Sequence, residues 1–457
     1  MRPRVKRDAE LSHQNTTTAM KILKFGGTSV GSPQRMKEVA RLVSGGDKKI
    51  VVLIAMSGTT NTLVEIADYL KKGNAEAANN VINRLRRKYA EHTAELYATA
   101  EMAEKTNSFL EQTFRRLHAL TGEEYSETME KEILAQGELM STNMLTNYLQ
   151  EQGTSVTLIP AFDFMRLQDN GEPDVPFLKE RMQALLRKYE KETLFITQGF
   201  ICLNSVGDID NLQRGGSDYT ACLVGAALHC EEIQIWTDID GMHNNDPRFV
   251  EGTTPVRQLN FEEAAELAYF GAKILHPTCI QPARYAGVPV RLLNTMDPSA
   301  PGTIINNDMH FGTIKAVAAK DNITVIKIVS SRMLLATGFL RKVFEIFEDY
   351  GTSIDMVTTS EVGVSLSIDN TTNLEQILEK LKLYGTVEVD RNMCIICVVG
   401  DLRAKNVGFE TLATEALSEI PVRMISYGGS NHNISFLVSE SDKKAALQAL
   451  SKRLFAD

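Results

Sequence analysis

Two glycine pairs, each leading into a helical stretch, restrict this chain more than any other feature. The first follows residues 21–25, a short apolar strand that runs into Gly26-Gly27 and then into a helix opening near Pro33. The second is Arg214-Gly-Gly-Ser-Asp218, about 190 residues later. Glycine lets a backbone come close to a ligand, and free amides at a helix start attract anions. Lys24 stands two residues before the first pair, within reach of a phosphate held by those amides. A lone Gly-Gly pair is usually only a turn. Two of them, one beside a Lys and one between an Arg and an Asp, point to an anion site.

Strands and helices alternate from Met20 to about Asn307. Strand 50–55 precedes a turn at 56–61 and a helix at 62–70, and residues 75–120 form a long polar helical region with Ile82, Leu85, Tyr89 and Thr93 at helical spacing. A helix at 130–150 leads to a strand at 155–159, and strands at 194–197 and 233–236 bracket a helix at 217–228. Such alternation predicts an α/β domain of three layers, a largely parallel sheet between helices. Ligands then gather at the carboxyl ends of the strands.

The rhythm changes near Asp321. Strand 323–329, helix 338–350, strands 354–358 and 362–368 and helix 374–384 are followed by the same order at 393–399, 409–419, 422–426, 433–438 and 443–454. The repeat predicts two tandem βαββα units of α+β sandwich type, each about 65 residues long. The expected organisation is a disordered extension at 1–19, an α/β domain at 20–307, a linker at 306–321, and small modules at 321–390 and 391–457.

Composition narrows the function. A net charge of −9 argues against a nucleic-acid surface, which recruits excess Lys and Arg. No apolar run approaches the roughly 20 residues that span a bilayer, and residues 1–19 lack the apolar core of a secretory signal. The six cysteines are scattered through apolar runs, and Cys394-Ile-Ile-Cys397 lies in a strand that sends its thiols to opposite faces. Neither metal nor disulfide is expected of them, and a reducing, cytoplasmic setting follows.

The motifs Lys24-Phe-Gly-Gly-Thr-Ser-Val30, Gly137-Glu-Leu-Met-Ser-Thr142, Arg214-Gly-Gly-Ser-Asp218, Trp236-Thr-Asp238, Asp246-Pro-Arg248 and Phe270-Gly-Ala-Lys-Ile-Leu-His-Pro277 resemble those of aspartate kinases. So do Gly338-Phe-Leu340, Val357-Thr-Thr-Ser-Glu361 and Ser426-Tyr-Gly-Gly-Ser in the C-terminal half. The resemblance runs through nearly all of residues 20–457. It implies the amino acid kinase fold followed by two ferredoxin-like ACT domains. It also implies transfer of the ATP γ-phosphoryl group to the β-carboxylate of L-aspartate, the step that opens lysine, threonine and methionine biosynthesis.

Residue by residue, the resemblance implies that Lys24 neutralises the moving phosphoryl group and Asp218 fixes Lys24. Glycines 26, 27, 215 and 216 would offer amides to the phosphates, and Thr237, Asp238, His243, Arg248, Lys273 and Ile274 would surround the rest of the nucleotide. Arg214 suits the substrate's α-carboxylate, Glu138 its ammonium, and Thr60 and Ser217 supply hydroxyls. The acceptor carboxylate is already ionised at neutral pH, so no general base is required. Magnesium is expected through the ATP phosphates alone, since the histidines show no ligand spacing. An effector site is expected from Met333, Gly338, Phe339, Leu340, Ser353, Ile354, Asp355, Ser360 and Glu361. Its acidic residues suit lysine, with threonine as the alternative, and assembly into a homodimer or homotetramer through the ACT domains is expected. The chain departs from the family pattern at Ile54, where Ser is frequent, at Gln213, where Gly commonly precedes the Arg, and at His243, where Tyr is frequent. Competing readings are a sister kinase acting on glutamate or N-acetylglutamate, and an inactive amino-acid sensor. The second predicts loss of Lys24 or Asp218, and both are present. No GxGxxG segment follows the second module, so a fused homoserine dehydrogenase is not expected.

Overall fold

A computed structural model describes residues 18–212, 215–271, 275–309, 312–333, 337–403 and 407–455. Arg214, Lys273, Ile274, Gln213 and all but the last two residues of the expected extension lie outside the described residues. Thr18 and Ala19, placed in that extension, already belong to the first strand.

In chain order the elements are β1 (Thr18–Phe25), α1 (Pro33–Val43), β2 (Lys49–Leu53), α2 (Thr59–Lys71), α3 (Ala75–Leu96), α4 (Ala100–Leu120), α5 (Glu127–Glu151), β3 (Thr157–Leu158), α6 (Val175–Lys188), β4 (Leu194–Gln198), β5 (Ile201–Leu203), β6 (Ile209–Asn211), α7 (Gly216–Leu228) and β7 (Cys230–Thr237). There follow β8 (Gln258–Asn260), α8 (Phe261–Tyr269), α9 (Gln281–Ala286), β9 (Val290–Asn294), β10 (Thr303–Asn306), β11 (Ile314–Val329), α10 (Phe339–Asp349), β12 (Met356–Thr359), β13 (Gly363–Ile368), α11 (Leu374–Leu381), β14 (Thr386–Gly400), α12 (Phe409–Ala416), β15 (Met424–Tyr427), β16 (Asn433–Ser439) and α13 (Lys443–Leu454). They fall into two compact units. One holds the residues up to Trp236 with Gln281–Val290, the other Thr237–Ile280 with the residues from Arg291 onward.

In the first unit β3, β4, β2, β1 and β7 lie side by side in that order, all parallel. Residues 50–53 are fully buried, as a strand covered on both faces requires. Register places Phe25 beside Leu53 and Trp236, and Leu53 beside Gln198, so these strands end level at one edge. The turns after β1, β2 and β4 therefore share a single rim. The long helical region breaks into α3 and α4 where the Glu151 carboxylate accepts the amides of Ala98 and Thr99, at 3.0 and 2.8 Å.

In the second unit β8 and β10 pair in parallel, and a six-stranded antiparallel sheet runs β12-β13-β11-β14-β16-β15. It is built from the two predicted βαββα repeats, whose first strands, β11 and β14, are its central neighbours. Both strands start earlier than the apolar pattern indicates, β11 at Ile314 rather than 323 and β14 at Thr386 rather than 393. The polar stretches Lys320-Asp321-Asn322 and Asp390-Arg391-Asn392 stand just before the apolar runs. In the fold the Asn of each adopts a left-handed conformation, φ 61° at Asn322 and 55° at Asn392, and the strand resumes beyond it. Residues 314–321 are consequently strand, not linker.

Each repeat has its own core, one around Ile326, Phe347 and Leu366, the other around Ile396, Phe436 and Leu447. All six cysteines are buried and free. Among the described residues no helix is long and apolar enough to cross a membrane.

Candidate active site

The rim of the first unit gathers the chemistry. Lys24, the penultimate residue of β1, reaches over the end of its strand, and its Nζ lies 2.7 Å from Asp218 Oδ1 in the first turn of α7. Both side chains are nearly enclosed, 11% and 14% exposed. α7 opens without a side-chain cap, on Gly215 at φ 66° and Gly216 at φ 53°. The Asp218 amide turns back to the Gly215 carbonyl at 3.2 Å, so within this first turn an anion could meet only the amides that precede it.

The turn after β1 lies against the turn after β2. A Cβ on Gly27 would stand 3.3 Å from the Ala55 carbonyl oxygen, and one on Gly31 would stand 2.9 Å from Ser57 Cβ. Ala55 then joins this corner to α5, because its amide donates to Glu138 Oε1 at 3.2 Å. Gly137 makes that approach possible, since a Cβ there would fall 2.6 Å from Ala55 Cβ. Glu138, expected to meet the substrate ammonium, is only 2% exposed. Its Oε2 is buried with no hydrogen-bond partner. Burial pushes its carboxyl pKa up to about 8, against the lowering effect of the Ala55 amide. A cation is what such an oxygen lacks. Thr60 sits in the first turn of α2, next to Thr59, whose hydroxyl shares a hydrogen bond with the buried Tyr89 phenol at 3.1 Å.

Two supporting residues escape sequence reasoning. Gly199 follows β4 and admits α7, because a Cβ there would lie 2.4 Å from Ser217 Cβ and 2.8 Å from its Cα. Phe200 takes φ 68°, a strained value for an aromatic residue, and its amide donates to Thr220 Oγ1 at 3.0 Å. Gly199→Ala is expected to cost about 1–3 kcal/mol by overpacking. Thermal melting checks this, and an unchanged midpoint would mean that the rim yields freely.

Residues of the second unit assigned to the nucleotide are less uniform. Thr237 Oγ1 donates to Asp238 Oδ1 at 3.1 Å, and the Thr237 carbonyl accepts the Thr295 amide at 2.8 Å. His243 Nδ1 is 3.0 Å from Thr253 Oγ1, and burial lowers the ring's pKa. The Arg248 guanidinium is exposed and already forked onto Asp246, with Nη2 2.7 Å from Oδ2. Among the described residues no group of three or more His, Cys, Asp or Glu is arranged to hold a metal.

Of the expected effector residues, Gly338 caps α10 at φ 82° while Phe339 is core, edge-on to Tyr384. Met333, Leu340 and Ile354 pack against the same core. Ser353 and Glu361 are exposed, and Ser360 turns β12 into β13 through a 2.8 Å bond from its amide to the Gly363 carbonyl. Asp355 is the exception, with a side chain 1% exposed.

A parallel sheet whose level strand ends carry a Lys–Asp pair, two glycine turns and a buried carboxylate defines a small-molecule kinase scaffold. Comparison with known proteins agrees. A model of the amino acid kinase family matches residues 19–294, and one of the ACT domain matches residues 396–454. Lysine-sensitive aspartokinase 3 of Escherichia coli (strain K12) is 34% identical over 95% of this chain and 99% of its own. Aspartokinase 1, chloroplastic, of Arabidopsis thaliana is 34% identical over 95% of this chain and 80% of its own. The solved structure of E. coli aspartokinase III in complex with lysine and aspartate, a T-state, aligns with a TM-score of 0.81 at 34% identity, covering 96% of this chain and 100% of that one. The same enzyme in complex with aspartate and ADP, an R-state, aligns at 0.78 and 33%, with the same coverage. The chain belongs to the aspartokinases of the amino acid kinase family.

Proposed function

We propose that this aspartokinase transfers the ATP γ-phosphoryl group to the β-carboxylate of L-aspartate, giving 4-phospho-L-aspartate and ADP. The observation that carries the substrate choice is Glu138, a buried carboxylate with one oxygen left over. The α-ammonium of aspartate would complete it, whereas an acylated amine, as in N-acetylglutamate, has nothing to offer there. Arg214 would take the α-carboxylate, with Thr60 and Ser217 as hydroxyl contacts.

Phosphoryl transfer asks mainly for positioning and for positive charge near the moving group. Lys24 supplies that charge, and Asp218 keeps it aimed across 2.7 Å. The amides of Gly27, Gly215 and Gly216 would hold phosphate oxygens, and that of Gly26, which donates to the Trp236 carbonyl at 3.4 Å, would have to leave it to join them. Thr237, Asp238, His243, Arg248, Lys273 and Ile274 would contact the rest of the nucleotide. Magnesium would be held by the phosphates rather than by a protein cage, and it would neutralise their charge.

We assign the catalytic domain to residues 20–307 and ACT domains to 321–390 and 391–457. The effector would be lysine, bound about Met333, Gly338, Phe339, Leu340, Ser353, Ile354, Asp355, Ser360 and Glu361. Threonine is the second choice. The working form would be a cytoplasmic dimer or tetramer joined through the ACT domains.

The deciding experiment traps the acyl phosphate with hydroxylamine across a panel of amino acids. ATP-dependent hydroxamate is expected from aspartate and not from glutamate or N-acetylglutamate. Product from N-acetylglutamate would remove Glu138 from substrate recognition.

A further inference from the structure

Helix α3 lays two successive residues on the turn that follows β2. Lys88 Nζ donates to the Ser57 carbonyl at 2.9 Å, and the Tyr89 hydroxyl shares a hydrogen bond with Thr59 Oγ1 at 3.1 Å. α2 opens on Gly58 at φ 79° with no side-chain cap bond, which leaves its entry to be held by such neighbours. The Lys88 bond lies at the surface, where water competes with it. The Tyr89 bond is buried, with Tyr89 1% exposed and Thr59 fully enclosed, and there it holds more firmly. Phe114 of α4 stands edge-on to the Tyr89 ring, centroids 6.1 Å apart, and steadies it.

Thr59 stands between Tyr89 and the helix that carries Glu138. Its hydroxyl faces Tyr89, and its methyl lies 3.5 Å from the place a Cβ on Gly137 would take, one residue before Glu138. Thr60, the proposed hydroxyl contact, is the next residue of the same helical turn. Ala55, whose amide donates to Glu138, closes on Gly137 from the other end of the β2 turn. Burial raises the Tyr89 pKa against the lowering effect of Thr59, and the charge of Glu138 raises it further, so the phenol keeps its proton. All of these residues lie in one unit.

We propose that Tyr89 is a positioning residue for the aspartate subsite: its hydrogen bond to Thr59 holds the first turn of α2 at the depth where Thr60 and Glu138 meet one substrate molecule. This rests on the reading of Glu138 and Thr60 as substrate contacts. A tyrosine buried merely as core also seeks a partner for its hydroxyl, so the bond alone does not separate the two roles. Their consequences differ. Where the bond only satisfies buried atoms, removing both hydroxyls together is nearly harmless, because nothing is left unpaired. Where it sets the turn, removing both harms substrate affinity as much as removing either.

The test compares Tyr89→Phe, Thr59→Val and the double variant in the full chain, by thermal melting and by steady-state hydroxamate formation from L-aspartate and ATP. Each single variant leaves a buried hydroxyl unpaired and should melt lower than wild type, and the double variant should recover part of that loss. The Michaelis constant for aspartate should rise about fivefold or more in all three, the double being no worse than the worse single. Turnover and the Michaelis constant for ATP should stay within about twofold of wild type. A double variant whose aspartate constant returns to the wild-type value along with its melting point would overturn the positioning role. Unchanged aspartate constants in the single variants, or an equal rise in the ATP constant, would overturn it too, and each of these results leaves the aspartate subsite standing. No hydroxamate from aspartate with the wild type would overturn the proposed function, and this inference with it.

Discussion

Replacing Lys24 with Ala should lower turnover by about a thousandfold or more, with the Michaelis constant for ATP changing less than tenfold. The asymmetry follows from when the charge is needed. In the bound nucleotide the phosphate charge would be shared among the glycine amides and the magnesium proposed above. In the transition state it concentrates around the moving group, where a nearly enclosed ammonium acts through a weakened dielectric. A thousandfold loss corresponds to about 4 kcal/mol, within reach of one preorganised cation. The variant also leaves the Asp218 carboxylate without its partner at 2.7 Å, a negative charge facing the phosphates. The double variant Lys24→Ala/Asp218→Asn tests that second effect. If Asp218 serves only to aim Lys24, the double variant is no slower than Lys24→Ala alone. A further drop of tenfold or more would give Asp218 a role of its own. Steady-state rates of hydroxamate formation measure both, and turnover of Lys24→Ala within tenfold of wild type would remove Lys24 from the mechanism.

How much of this rim can be read from the sequence depends on how local each feature is. Lys24, Gly26 and Gly27 are legible because strand, turn and helix follow one another within fifteen residues or so. The repeat of βαββα is legible for the same reason, as apolar periodicity within short windows. Glu138 shows where locality fails. Its carboxylate is buried where it accepts the amide of Ala55, which is remote in sequence, and a mid-helix glutamate gives no sign of that burial. Gly199 is a plain glycine until Ser217 arrives beside it, and nothing about Phe200 announces a left-handed backbone. In the second unit, Asn322 and Asn392 look like ends of strands because left-handed Asn usually marks a turn. The pairing of β11 with β14 on both sides of them overrides that local preference. Thr59 and Tyr89 are likewise joined by tertiary contact alone.

Glu138 yields the other large effect, and its sign can be worked out. The buried carboxyl holds its proton up to about pH 8 in the free protein, yet it must be ionised to pair with an ammonium. Aspartate binding below that pH therefore expels a proton, and affinity should rise about tenfold per unit as pH climbs from 6 towards 8. Glu138→Gln keeps the Ala55 contact but cannot supply the charge. Its Michaelis constant for aspartate should be about a hundredfold higher and lose this pH dependence, leaving only what the ATP phosphates contribute. Stability should move the opposite way. The unfolded chain ionises this group near 4.5 and the folded chain near 8, so folding is progressively penalised as pH rises between them. Glu138→Gln escapes that penalty, so at pH 8 and above the ligand-free variant should melt higher than wild type while binding aspartate far worse. This pairing of gained stability with lost affinity is the mark of a group kept for its substrate rather than for the fold. Melting curves and aspartate titrations at pH 6, 7 and 8 check both halves, and parallel pH profiles for wild type and Glu138→Gln would mean that the ammonium is bound elsewhere.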